Sequence, residues 1–312
     1  MPSQTEIYQN ITHRILDALM FGTVPWRKPW RNQPNCGAPA NVVSKRRYSG
    51  INPLLLDLVA MSRGFDSRWW GTFQQWEALG AHVKKRPTDV KPGQWGTNIV
   101  FWKQITKKTV EDDDEKKSSF PMMRFYTLFN IDQVEGSSVD HLRAEADVDS
   151  NPASIDFQPA QAVIDATQAS ITYGGNQAFY MRPTPFEDWP NHGGGDFIRM
   201  PPKQQFESEH EFYSTSFHEL CHWTEVRLGW TGSYAMGELI AEMGAAFLCA
   251  QLNIPNSQDL KNHASYLDHW LKELREDDRA IIRAASQASK AAELILSFSR
   301  KPELSEQELH SA

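Results

Sequence analysis

The residues in this chain best suited to chemistry are His218-Glu219-Leu220-Cys221-His222. On an α-helix, residues four apart share a face, so His218 and His222 can direct both imidazoles at one ion. Glu219 sits beside them, placed to polarise a water at that ion rather than to bind the ion itself. The spacing is that of the active-site helix of a zinc metallopeptidase, and Phe217, Leu220, Trp223 and Val226 make the helix apolar enough to bury. Taken alone, the pentapeptide also fits an ordinary helix with two satisfied histidines and a glutamate.

A catalytic zinc needs a third protein ligand and one open position. The segment from Glu238 to Cys249 reads as a helix with two acids on one face, Glu238 sixteen residues after His222 and Glu242 twenty after. Both lie among apolar residues, where an unpaired carboxylate is costly to bury. A cation and its histidines would make both charges tolerable. The assignment is Glu238 as third ligand and Glu242 as acceptor of the remaining ring N–H of a ligand histidine, with the reverse left open. The expected cofactor is one divalent metal, zinc first and manganese second. Cys221 lies near the metal face, but a small buried helix residue suits it better than a thiolate ligand. His210, Tyr213 and Tyr234 flank the motif and could donate to an oxyanion, although packing or surface roles fit each better.

A second chemistry lies in the first third of the chain. Residues 1–110 hold sixteen Lys and Arg against six Asp and Glu, whereas the remainder holds sixteen against thirty-three. Seven of the eleven tryptophans fall in the basic part. Such asymmetry predicts two units with different partners, the first suited to a polyanion. Cations alternate with flat rings in Pro25-Trp26-Arg27-Lys28-Pro29-Trp30-Arg31, Lys45-Arg46-Arg47-Tyr48, Arg68-Trp69-Trp70 and Lys84-Lys85-Arg86. Single-stranded nucleic acid needs cations along its phosphates and aromatic faces for its unstacked bases. No recognition helix or groove-reading ribbon for duplex DNA is evident. The competing reading is a small tryptophan core with solvated charges, and Trp95 and Trp102, beside strand residues, are the leading core tryptophans.

These residues must be positioned by ordinary elements. Apolar spacing predicts helices over Ile7–Met20, Ile51–Met61 and Thr72–Leu79, punctuated by Gly22, Gly64 and Gly80. β-branched and aromatic runs predict strands at Asn98–Trp102 and Arg124–Phe129, with Glu111–Lys117 as the tip between them. Polar sequence from Val134 to about Pro159 predicts a domain boundary, followed by a helix near Ala160–Ser170 and strands near Ala178–Tyr180 and Asp196–Met200. Helices dominate after Glu209. The expected fold class is α+β: a small mixed nucleic-acid-binding domain over 1–140 and a mostly helical metallopeptidase-like domain with a small sheet over 155–312. No run approaches a membrane span, and no basic-then-apolar start marks a secretory signal. Cys36, Cys221 and Cys249 are odd in number and widely spaced, which fits free thiols in a reducing cytoplasm.

The chain resembles the ArdC-type antirestriction proteins of conjugative plasmids, a family with relatives among plasmid primase-associated proteins. The N-terminal resemblance rests on Pro25-Trp26-x-x-Pro29-Trp30, Pro39-x-Asn41, Tyr48-x-Gly50-Ile51-Asn52, Thr72-Phe73-x-Gln75, Val83-Lys84-Lys85 and Phe129-Asn130-x-x-Gln133. The C-terminal resemblance rests on Phe206, His218–Thr224, Arg227-Leu228, Tyr234-Ala235, Glu238–Glu242, Ala245–Leu248 and Asp278–Ser286. It implies a single-stranded-DNA-binding domain, in which Asn52 and Gln75 join the cations and rings above, and a zincin-like metalloprotease domain. His218, His222 and Glu238 carry over as metal ligands and Glu219 as the catalytic acid. The implied role is protection of incoming DNA from host restriction during conjugation. The family usually has Gly-His after the Trp-Thr pair, where this chain has Glu225-Val226, and Met236-Gly237 replaces an acidic approach to Glu238; substrate-side contacts are therefore expected to differ. Three functions compete: a DNA-binding metal-dependent protease, a non-enzymatic single-strand coat or decoy with a structural metal, and a protease acting on proteins held on DNA.

Overall fold

The computed structural model describes residues 4–26, 35–111, 114–143, 156–183, 195–255 and 264–300. Two compact units are present: Met1–Ala153 with Gln258–Ser286, and Ser154–Ser257 with Gln287–Ala312. Helix and strand are mixed, as the α+β expectation requires.

The first unit opens with α1 (Gln4–Met20), whose Ile7, Ile11, Ile15 and Leu19 are buried at helical spacing. That apolar stripe needs a partner, and the amphipathic α7 (Ala264–Glu276) supplies one with buried Trp270 and Leu274. Trp26 meets Trp270 edge-on at 6.0 Å, and the Thr12 hydroxyl donates to the Asp278 carbonyl at 2.7 Å. Residues 258–286 therefore cluster with the N-terminal unit, which a single cut between 140 and 155 does not anticipate.

A four-stranded sheet runs in the order β1 (Ala40–Asn41), β2 (Trp69–Gly71), β5 (Asp114–Asn130), β4 (Thr97–Glu111). β1 and β2 are parallel, and the remaining pairs are antiparallel. The β4–β5 ladder continues from Thr97↔Leu128 to Glu111↔Asp114. Strand thus extends well past Trp102 and into the segment expected as a tip, because β-branched residues recur along it and pairing continues. α2 (Asn52–Arg63) carries Pro53 in its first turn and stops at Gly64, whose φ of 68° is left-handed. It packs on the sheet through Leu56, Ala60, Phe65, Trp70, Ile99 and Leu128. α3 (Phe73–Ala78) starts from a Thr72/Gln75 capping box, and β3 (His82–Val83) pairs with β6 (Val134–Glu135).

The second unit holds α4 (Gln158–Ala166) and a three-stranded sheet ordered β7 (Ile171–Tyr173), β9 (Phe197–Met200), β8 (Phe179–Met181). α4 ends before Ser170 because Gln168 adopts a left-handed φ of 52°, and β7 is a strand the periodicity did not signal. α5 (Glu209–Arg227) packs on α6 (Tyr234–Gln251), on α4 and on the sheet. The residues of α8 (Ala280–Ser297) from Gln287 onward complete a core of Phe212, Phe217, Leu220, Trp223, Leu248 and Ile295. Among the described residues, no helix is long and apolar enough to cross a membrane.

Candidate metal centre

α5 is started by Ser208, whose hydroxyl accepts from the Glu211 N–H at 3.3 Å, and Glu209 and Glu211 place negative charge in its first turn. One helical turn then sets His218 above His222, with ring centroids 4.9 Å apart and Nε2 atoms 3.2 Å apart. α6, capped by Ser233, brings the two acids to them. Glu238 lies across both imidazoles, its Oε2 at 3.5 Å from His218 Nε2 and its Oε1 at 3.4 Å from His222 Nε2. Ligand atoms of His218, His222 and Glu238 all fall within 4.8 Å of one another. Glu242 instead faces the other side of His218, with Oε2 3.5 Å from Nδ1. His222 Nδ1 donates to Glu225 Oε1 at 2.7 Å, and Arg182 bonds the other oxygen of Glu225.

The donor set fits a divalent cation. Carboxylates only accept, so Glu225 and Glu242 call for hydrogen on each Nδ1, which leaves both Nε2 lone pairs aimed at the same point as Glu238. Three electron-pair donors meeting there repel unless a cation or protons lie between them. Two imidazoles and one carboxylate are a donor set of the kind that holds a divalent metal ion. Without a metal, protons fill the role: burial disfavours the His218 charge, yet Glu238 and Glu242 overcome it and lift this imidazole to about 10. Glu238 is also opposed by burial and is driven well below the usual carboxylate range by the two histidines. Burial pushes Glu219 up, while His218, His222 and the Tyr180 backbone N–H on β8 pull it back.

Of the flanking groups, His210 bonds Ser208 and Tyr213 stacks on Phe157 while donating to Gln161, so both are used locally. Tyr234 is exposed at the start of α6. Cys221 is buried against Gly244, and burial raises its thiol far above the ordinary value. Glu225 was missed by sequence reasoning although it follows His222 by three positions on one helix face, a readable signal. Arg182 carried no such signal, since only the fold brings it to Glu225.

Known proteins share both halves. Residues 5–129 match the N-terminal domain of anti-restriction factor ArdC, and residues 158–287 match a zincin-like metallopeptidase family. An uncharacterized protein of Sinorhizobium fredii is 31% identical over 305 residues, covering 93% of this chain and 91% of that protein. The chain belongs to the ArdC antirestriction family. Crystal structures of the antirestriction ArdC protein from the R388 plasmid superpose with TM-scores of 0.71 for the metal-free form and 0.68 for the Mn(II)-bound form. They are 31% and 30% identical to this chain, cover 94% and 95% of it, and are themselves covered over 97% and 99%. A DNA primase TraC of Escherichia coli is 30% identical over 330 residues, covering 94% of this chain but only 27% of that protein.

Within the ArdC-type N-terminal unit, the residues expected to meet DNA fall into distinct groups. Lys45, Arg46, Arg47, Lys84, Lys85 and Arg86 are exposed. Lys45 sits over the half-buried Trp69 ring at 4.4 Å, and Tyr48 is half-buried beside Asn41. Lys28, Trp30 and Arg31 lie outside the described residues. Three of the residues expected to meet DNA are instead buried. Trp26 and Trp70 are buried, packed against Trp270 and Phe65, and have no free face for a base. Asn52 is buried and clamps β4, donating to the Val100 carbonyl at 2.8 Å and accepting from its N–H at 2.9 Å. Gln75 closes the capping box of α3 and bonds Asn41, a structural use that leaves it half-exposed. Trp95, read as a core residue, is half-buried, with its indole N–H donated to the Lys84 carbonyl. The Trp102 side chain lies outside the described residues.

Proposed function

We propose that this chain is an antirestriction protein that binds single-stranded DNA through its first unit and hydrolyses peptide bonds at a divalent-metal site in its second, protecting incoming DNA during conjugation. The convergence of His218, His222 and Glu238 beside Glu219 carries the reading. The Mn(II)-bound ArdC structure supports a divalent ion, and the two-nitrogen, one-oxygen donor set favours zinc. His218, His222 and Glu238 would hold the ion, with Glu242 behind His218. A cation bound there supplies Lewis acidity to a substrate carbonyl and to the attacking water. Glu219 takes the proton of that water and returns it to the leaving amine, which a carboxyl lifted by burial does more readily than an exposed one. On the first unit, exposed Lys45, Arg46, Arg47, Lys84, Lys85 and Arg86 follow phosphates, and Tyr48 and Trp69 offer ring faces, each stacked base contributing ~1–3 kcal/mol. The buried free thiols support a reducing compartment such as the cytoplasm as its place of action.

Glu219→Gln tests the enzyme. Metal content and oligonucleotide binding should match the wild type while peptide cleavage and protection from restriction are lost. Full protection by this variant would refute the peptidase reading and favour a coat whose metal is structural. Cleavage of proteins crosslinked to DNA, with restriction unaffected, would redirect the substrate to DNA-bound proteins. Single-strand affinity should fall steeply with salt as neutralised phosphates regain counterions. Equal affinity for duplex would contradict base stacking.

A further inference from the structure

We infer that Glu225 and Arg182 are a positioning pair that sets the ring of His222, and with it the metal affinity of the site, and that ties the edge strand β8 to the metal-binding helix. The inference rests on the metal-site reading above. An imidazole ligates through Nε2 only if Nδ1 carries its hydrogen, and the partner of Nδ1 decides this. For His222 that partner is Glu225, at 2.7 Å on the next turn of α5. The Glu225 side chain is only 7% exposed, and a Cβ on Gly237 would lie 3.2 Å from its Oε1, so the backbone of α6 closes over it. The carboxylate therefore has little freedom to rotate away from the ring.

A carboxylate buried beside His222 is disfavoured in its charged form by burial, and a cation of its own offsets that cost. Arg182, immediately after β8, supplies it by bonding Glu225 Oε2. β8 also directs the Tyr180 N–H at Glu219 and ties the Tyr180 hydroxyl to Asp196 at 3.0 Å. One short strand thus reaches the base through its backbone and a metal-ligand histidine through Arg182 and Glu225. His218 is held differently, by Glu242 from α6, so the two imidazoles are oriented from separate elements.

The test is zinc competition against a chromophoric chelator on the full-length chain. Arg182→Ala and Glu225→Ala should each weaken zinc binding by roughly 10- to 100-fold. Arg182→Lys should recover part of the loss, and Glu225→Gln, which still accepts from Nδ1, should weaken binding less than Glu225→Ala. In the zinc-loaded wild type, ring ¹⁵N shifts of His222 should report a protonated Nδ1, and this signal should broaden or split in Arg182→Ala. Arg182 is 55% exposed, so its removal leaves the folded unit intact and carries the test even if the Glu225 variants unfold. Zinc affinity of Arg182→Ala within twofold of wild type, with an unchanged His222 ring spectrum, would overturn the inference. A wild type that takes up no stoichiometric zinc would overturn the metal-site reading instead.

Discussion

Gly244→Ala probes how closely α5 and α6 must approach to build the metal site. A Cβ at position 244 would lie 2.5 Å from Cys221 Sγ and 3.5 Å from Cys221 Cβ, with the Ala288 carbonyl at 3.6 Å. Non-bonded heavy atoms settle at roughly 3.5–4.0 Å, so the new methyl intrudes on the sulfur by about 1 Å. Cys221 is 1% exposed, so its sulfur has no open solvent to turn into. Overpacking of this kind costs about 1–3 kcal/mol, and the better helix propensity of alanine returns about 1 kcal/mol. A severe overlap belongs in the upper half of the range, leaving a net loss of about 1–2 kcal/mol. Gly244 is six residues, about 9 Å, along α6 from Glu238, so pushing the helices apart also draws Glu238 off His218 and His222. Denaturant melts of the metal-free protein and chelator competition for zinc should therefore weaken together. Cys221→Ala removes the obstructing sulfur, so the double variant should be less destabilised than the sum of the singles. Stability of Gly244→Ala at or above wild type, or strict additivity with Cys221→Ala, would refute the close contact.

Zinc affinity should rise with pH through neutrality. The metal-free His218 imidazole is lifted to about 10, so a cation must displace its proton, and affinity falls as pH falls by about tenfold per unit for each proton displaced. Chelator competition at several pH values checks this, and a flat profile would contradict it. Asn52→Ala should cost roughly 2–4 kcal/mol in urea melts, because two buried bonds to Val100 vanish and leave its backbone groups unpaired. A loss under ~0.5 kcal/mol would mean that the clamp contributes little to the fold.

The pentapeptide of α5 was legible because a helix has one period: four residues put His218 and His222 on one face wherever the helix ends up. The acids of α6 were legible for the same reason, and so was the charge asymmetry, which is compositional. The tryptophans were not. Trp26, Trp69 and Trp70 lie in similar basic, aromatic stretches, yet Trp26 and Trp70 are buried and Trp69 carries Lys45 over its ring. Which ring packs and which stays open depends on α7 and on the register of β2 with β5, contacts between segments far apart in the chain. Asn52, expected from the resemblance to meet DNA, is a strand clamp by position.

The sequence by itself determined a basic first third against an acidic remainder, and a helix able to aim two imidazoles at one ion, because these depend on composition and local periodicity alone. Only the tertiary structure decided the rest. It turned Glu238 toward both Nε2 atoms and Glu242 toward Nδ1 of His218, through the depth at which α6 meets α5. It placed residues 258–286 with the first unit, since the apolar stripe of α1 needed covering. It brought Arg182 to Glu225 from 43 positions away, a charge pairing that no local pattern encodes because it arises only once β8 lies beside α5.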